Sequence, residues 1–201
     1  MRFPIPGRMV SSVLLALFAV SGCSDSSPNG SGRVSLLITD APGDVVAAVV
    51  TVSAVTLVGD HGKVTLFDTP FTTNLLDLAG TTDTLATNIQ VENGRFNELR
   101  FVITGGYVEV DNGDGTTSIY ASSPSYAGLP PAAVVTGSLQ MPSFGSSGLK
   151  VKVPGGSLLV DDDNHVILVD FDAAQSFGHV AGNSGMWVMH PVIVASEVPV
   201  P

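Results

Sequence analysis

Val34, Leu36 and Ile38 alternate with Ser35, Leu37 and Thr39, the two-residue period of a strand with one buried face. A turn follows at residues 40–44, where Pro42 fixes one φ angle and Gly43 can supply a positive one. In the valine- and threonine-rich run 45–58, Val50, Val52, Val55 and Leu57 are core candidates. The change of parity after Val52 predicts a bend or bulge near Ser53 and Ala54. Gly59, Asp60, His61 and Gly62 join this run to residues 63–67 as a hairpin. Leu75, Leu76 and Leu78 form a short apolar patch, and residues 84–89 fit either a strand or a brief helical turn. Asn93 and Gly94 signal a turn leading into Phe96, then into a strand with Leu99, Phe101 and Ile103 on one face. Residues 107–110 and 118–121 flank the turn-forming segment 111–115 as a second hairpin.

Further along, Leu149, Val151 and Val153 alternate with Lys150 and Lys152. Two short apolar runs, 158–160 and 166–169, surround an acidic tip at residues 161–164. The last extended run holds Trp187, Met189 and residues 192–195, with Pro191 suited to an edge or a bulge. No segment carries a long helical period. The pattern predicts a mainly β chain: an antiparallel β-sandwich with Greek-key connections and at most a short helix.

The start of the chain reads differently. Arg2 and Arg8 precede an apolar run over residues 9–20, the order of an export signal. The run is too short for an ordinary membrane-spanning helix, which needs about 20 apolar residues. It ends in Val20, Ser21, Gly22 and Cys23, which resembles the lipobox of bacterial lipoproteins. That resemblance implies a diacylglycerol on the Cys23 sulfur, cleavage after Gly22 and acylation of the new amino terminus, palmitate among the acyl groups. Ser24, rather than aspartate, follows the cysteine, which by the sorting pattern of diderm lipoproteins implies the outer membrane. The organisation expected is a signal peptide at 1–22, a lipidated Cys23 with a flexible tether at 23–32, a β-sandwich domain at 33–196 and a tail at 197–201. About 179 residues remain after cleavage, enough for one domain with a substantial core.

Cys23 is the one cysteine, so no intramolecular disulfide supports the domain. Eight basic residues against 18 acidic ones give a formal charge of −10. Loss of Arg2 and Arg8 with the signal moves that to about −12. Nucleic acid or an anionic membrane surface is therefore not expected as a direct partner of the domain. Cations, or simply good solubility, fit the balance better.

Hard cations such as calcium take several carboxylate and carbonyl oxygens. Asp111 and Asp114 crowd one turn, Asp161 and Asp163 another, and Asp170 and Asp172 share parity on a strand; these six are the calcium candidates. Turn chemistry alone also explains the first two groups, because Asp, Asn and Gly favour hairpin tips for backbone reasons. His61 and His165 sit in expected turns, His179 in a loop and His190 before Pro191, with no close zinc-binding pair. No Gly-x-Ser-x-Gly elbow is present. Tyr126, in an expected loop, and Trp187 are the candidates for binding a glycan or an envelope protein, since each offers a broad apolar ring with a polar edge.

Several motifs follow one another in a recognisable order. Leu36, Leu37, Ile38, Thr39, Asp40, Ala41 and Pro42 come first, then Leu75, Leu76, Asp77 and Leu78. Asn93 and Gly94 precede Leu99, Arg100 and Phe101; Gly148, Leu149, Lys150 and Val151 follow. Next come Asp170, Phe171, Asp172, Ala173, Ala174, Gln175 and Ser176, and Pro191, Val192 and Ile193 close the series. This order resembles the DUF4382 family of exported bacterial and archaeal lipoproteins, over about residues 32–195. The resemblance implies a β-sandwich-like extracellular domain and brings no reaction or catalytic residues. Val194 stands where the family usually has an arginine-like residue. The function expected is a non-enzymatic envelope module for adhesion, ligand capture or surface assembly. The alternatives are an envelope hydrolase with a loop-assembled site and a purely structural lipoprotein.

Overall fold

Short runs of alternating apolar residues each need a second apolar surface to cover them, and two stacked sheets supply it. The structure is a computed structural model that describes residues 30–41, 45–141, 144–153, 155–177 and 185–200. The expected signal peptide and Cys23 lie outside the described residues, as do residues 42–44 and His179.

In chain order the strands are β1 (Ser31–Ala41), β2 (Ala47–Gly59), β3 (Gly62–Phe67), β4 (Phe71–Asn74), β5 (Asp83–Glu92), β6 (Gly94–Asp111) and β7 (Thr117–Ala121). Then follow β8 (Val135–Gln140), β9 (Leu149–Lys152), β10 (Leu158–Val160), β11 (Asn164–Asp172), β12 (Met186–Val188) and β13 (Val192–Val198). A 3-10 turn spans Leu75–Leu78, and one short helix, α1, spans Ala173–Phe177. The described residues are mainly β, with as little helix as their periodicity predicts.

The smaller sheet has the order β13-β11-β1-β5. The larger has nine strands around β6, whose 18 residues pair with β2 along one edge and with β10, β9 and β7 in succession along the other. Val34, Leu36 and Ile38 of β1 and Ile167, Val169 and Phe171 of β11 share one buried cluster with Val50, Val52, Val55 and Leu57 of β2 and Leu99, Phe101 and Ile103 of β6. Each such side chain is worth about 1.5–3 kcal/mol when fully buried. The parity change in β2 is a pair of register shifts flanking Val52.

Antiparallel ladders dominate, but the sheets are mixed rather than wholly antiparallel. β1 pairs in parallel with β11, and β8 in parallel with both β7 and β12. Hairpin turns announce antiparallel neighbours only; a parallel partner arrives by a long crossover that leaves no local signal. Asn93 and Gly94 do form a turn, but it carries the chain from β5 in the small sheet to β6 in the large one instead of closing a hairpin.

Strand β1 takes in Ser31 and Gly32, the last two residues of the expected tether. Gly32 is there for proximity: a Cβ on it would collide with the carbonyl oxygen of Asp161. Asn93 N donates to Gly30 O at 3.0 Å, fixing where the chain enters the domain.

Candidate functional site

The outer face of the small sheet carries apolar side chains beside an open depression. Register sets its rows. Val198, Val166 and Ser35 lie side by side across β13, β11 and β1. Ser196, Leu168, Leu37 and Thr84 form the next row, and Val194, Asp170 and Thr39 the one after. Val194 is 56% exposed and Val200 50%. Among these rows lies an open depression of about 280 Å³, lined by Ser35, Leu37, Thr84, Thr87, Asn88 and Val166. Its rim is shaped by a bulge in edge strand β5, where Asn88 adopts φ 52° and donates its N–H to Ser35 Oγ at 3.1 Å. Asparagine tolerates that left-handed geometry better than most residues.

His165 borders the same depression. It is not in a turn, as its neighbours in sequence suggest, but on β11 with the parity of Ile167, Val169 and Phe171, and only 8% exposed. Its Nδ1 is 2.8 Å from Glu197 Oε1 on β13 and its Nε2 is 3.1 Å from Asp161 Oδ1. The imidazole therefore ties the β10–β11 turn to the last strand. Asp161 also accepts from the Asp163 N–H at 3.0 Å. That backbone bond, aided by His165, holds the Asp161 carboxyl below the usual aspartate range.

The remaining calcium candidates are dispersed. Asp111 accepts from Gly113 N at 2.7 Å; Asp114 accepts from Thr116 Oγ1 at 2.6 Å and Thr116 N at 3.0 Å, which lowers its pKa. Asp163 is exposed at the β10–β11 turn. Asp170 faces outward between Thr39 and Val194. Asp172 caps α1, accepting from Gln175 N at 2.8 Å and from its side-chain amide. Among the described residues, no group of three or more His, Cys, Asp or Glu side chains converges where an ion could sit. The acidic turns use their oxygens on nearby N–H and O–H groups, so clustering in sequence does not become clustering around a point.

The profile of a family described as a domain of unknown function (DUF4382) matches residues 31–191. The chain belongs to the DUF4382 family. No curated protein and no solved structure matches it. Its DUF4382 motif residues serve the scaffold in this chain. Thr39 Oγ1 donates to Thr81 O at 2.6 Å, pinning β1 beside the 3-10 turn. Phe171 fills the core, and the fully buried Ser176 accepts the Val192 N–H on its hydroxyl at 2.9 Å. The segment from Asp170 to Ser176 thus turns the chain out of β11 and fastens the start of β13.

The two aromatic candidates of this DUF4382 domain are also built in. Tyr126 belongs to the connection between β7 and β8, which folds over the outer face of the large sheet. There Ala47, Val49, Tyr107 and Ala121 form a second small core. Its hydroxyl is 2.7 Å from Thr51 Oγ1 and its ring is 6.4 Å from that of Tyr107. Glycines at 105 and 128 make the space, since a Cβ on either would stand 2.6 Å from the Tyr126 ring. Burial, with Glu109 nearby, raises the Tyr107 phenol. Trp187 is 5% exposed, packs on Tyr120 at 5.0 Å and donates its indole N–H to Phe177 O. Neither ring stands free as a platform. Residue type and local turn chemistry do not reveal His165 as a site residue, although its parity with Ile167, Val169 and Phe171 carries the signal.

Proposed function

We propose that this DUF4382 domain is a lipid-anchored module of the cell envelope, in the outer membrane of a diderm bacterium, that holds a protein partner rather than transforming a substrate. The observation that carries this reading is the outer face of the small sheet, where Leu37, Leu168, Val194 and Val198 occupy successive rows and Leu37 lines an open depression with Ser35, Thr84 and Asn88. Aliphatic side chains with a few hydrogen-bonding groups suit a protein surface. Stacking on a sugar ring asks for a free aromatic, and Tyr126 and Trp187 are engaged elsewhere. Catalysis is less well supported. Both ring nitrogens of His165 are engaged, with Glu197 and with Asp161, and Ser35 Oγ accepts from the Asn88 N–H instead.

The anchor is the lipid on Cys23. Two or more acyl chains hold a protein firmly to a bilayer, whereas one is marginal. Metabolic labelling with palmitate tests it: label should be lost in Cys23→Ser, and persistence of label would refute the anchor. The binding face is tested by a photo-crosslinking residue placed at Leu37 or at Val194 in cells. One discrete crosslinked product from both positions, absent from a probe at Thr117 on the hairpin tip, is the expected result. Identical patterns from all three positions would refute a dedicated face.

A further inference from the structure

Cations that are far apart in sequence meet on the outside of the nine-stranded sheet. The register sets Lys63 opposite Val58, Val58 opposite Glu98 and Glu98 opposite Lys152, one row across β3, β2, β6 and β9. The next row reads Thr65, Thr56, Arg100 and Lys150. Strands stand about 4.8 Å apart, so each row is about 14 Å wide. Lys63, Lys150 and Lys152 are exposed. Beneath them lies Glu98, 8% exposed, which accepts from Arg100 Nε at 2.5 Å and has Lys152 Nζ at 3.5 Å. Burial alone would raise its pKa, but Arg100, Lys152 and Lys150 together bring it below the ordinary value. The carboxylate therefore stays charged, with Arg100, Lys150 and Lys152 around it and Lys63 two strands away in the same row. Arg95 and the 52% exposed Leu159, opposite one another on β6 and β10, extend the same face.

A positive face on a chain of net charge −10 is a concentration of sign that the total conceals. We propose that this face docks on anionic phospholipid headgroups. Its sign is complementary, and its lysines are exposed. The acidic residues elsewhere act weakly on such a contact, because exposed charges more than a Debye length apart, about 8 Å at physiological ionic strength, are largely screened. The acidic turn at 161–163 sits at the rim, where the chain passes from β10 to β11 in the other sheet. The entry point of the chain favours a lipid surface over another occupant. Gly30 is bonded to Asn93, at the start of β6 and about 17 Å along the strand from Glu98. Cys23 is seven residues before Gly30 in sequence, at most about 25 Å away. A domain tethered there has the basic face within reach of the headgroups. The position of the membrane rests on the proposed acylation of Cys23, whereas the affinity of the face does not.

The test therefore uses the unacylated chain from residue 24 to 201, which contains every described residue. Sedimentation with vesicles of phosphatidylcholine alone is compared with vesicles that also contain phosphatidylglycerol. Binding should require phosphatidylglycerol and weaken as salt is raised. A basic residue near such a surface strengthens partitioning roughly fivefold. Lys150→Glu with Lys152→Glu, both exposed, should weaken binding more than tenfold with an unchanged circular dichroism spectrum. Glu98→Gln should strengthen it several-fold. Equal binding to both vesicle types, or no effect of the double charge reversal, would overturn the proposal. So would self-association without vesicles that the same reversal abolishes, since the face would then belong to a second copy. Loss of palmitate labelling speaks only to the anchor, so the two readings fail separately.

Discussion

At the β6–β7 tip, Asp111 and Asp114 accept hydrogen bonds from Gly113 and Thr116, all within the turn itself. At the β10–β11 tip, Asp161 accepts from Asp163 in the same manner, but it also meets the buried His165, whose other nitrogen reaches Glu197 near the end of β13. Both turns are acidic and both obey the same local rule for a carboxylate two residues before an N–H. They differ in the strand that each turn feeds. After the first, β7 continues along β6 and asks nothing more of the turn. After the second, β11 is central in the small sheet, and its second residue is a histidine pointed into the core edge. An acidic turn thus closes a hairpin in one place and fastens the C-terminal strand in the other.

Four measurements test how far that contrast extends. The largest effect is expected from His165→Ala, which removes the link and leaves a gap beneath two carboxylates. It should cost about 2–4 kcal/mol in urea unfolding, and a loss under about 0.5 kcal/mol would mean that the link is idle. Glu197→Gln keeps the shape and removes one charge at a half-exposed position, so about 0.5–1 kcal/mol is expected. In a double-mutant cycle with His165→Ala the two losses should not add.

Acid titration comes next. The Asp161 carboxyl has a folded pKa depressed by the Asp163 N–H and then by His165. Its contribution is complete above the unfolded aspartate value near 3.9 and is lost as pH falls towards the lower folded value. The urea midpoint of Asp161→Asn should therefore fall less steeply below about pH 4 than that of the native chain; parallel curves would contradict this. The smallest effect belongs to the other tip. Asp111→Ala should leave the urea midpoint unchanged and speed amide exchange at Gly113 alone. Any clear shift of the midpoint, or of the melting temperature when calcium is replaced by chelator, would show that the tip does more than turn.

Much of the architecture is readable because alternation reports which face is buried. Val34, Leu36 and Ile38, the parity slip around Val52, and Leu149, Val151 and Val153 all have the burial their spacing predicts. The hairpin at residues 59–62 and the one at 111–115 are legible for the same local reason. The long-range pairings escape. The parallel pairing of β1 with β11 has no turn to announce it. Asn93 and Gly94 spell a turn, but nothing local says that Glu92 and Gly94 belong to different sheets. Glycines at 30 and 32 suggest a loose linker, although Gly32 is small so that another backbone can pass close by.

The candidate sites are less legible than the fold. Tyr126 and Trp187 stand out by residue type, and type does not say whether a ring is already covered. Lys63, Arg100, Lys150 and Lys152 become one surface only through the register of four strands, so neither net charge nor local spacing reveals it.

The pairing of Arg33 with Asn164 sets an order of events. A polypeptide is delivered amino end first, so β1 waits for its parallel neighbour until most of the chain has emerged, and β11 in turn waits for β13. Distant pairings of this kind slow folding. Until the last strand emerges, the small sheet has no complete form in which to lock prematurely.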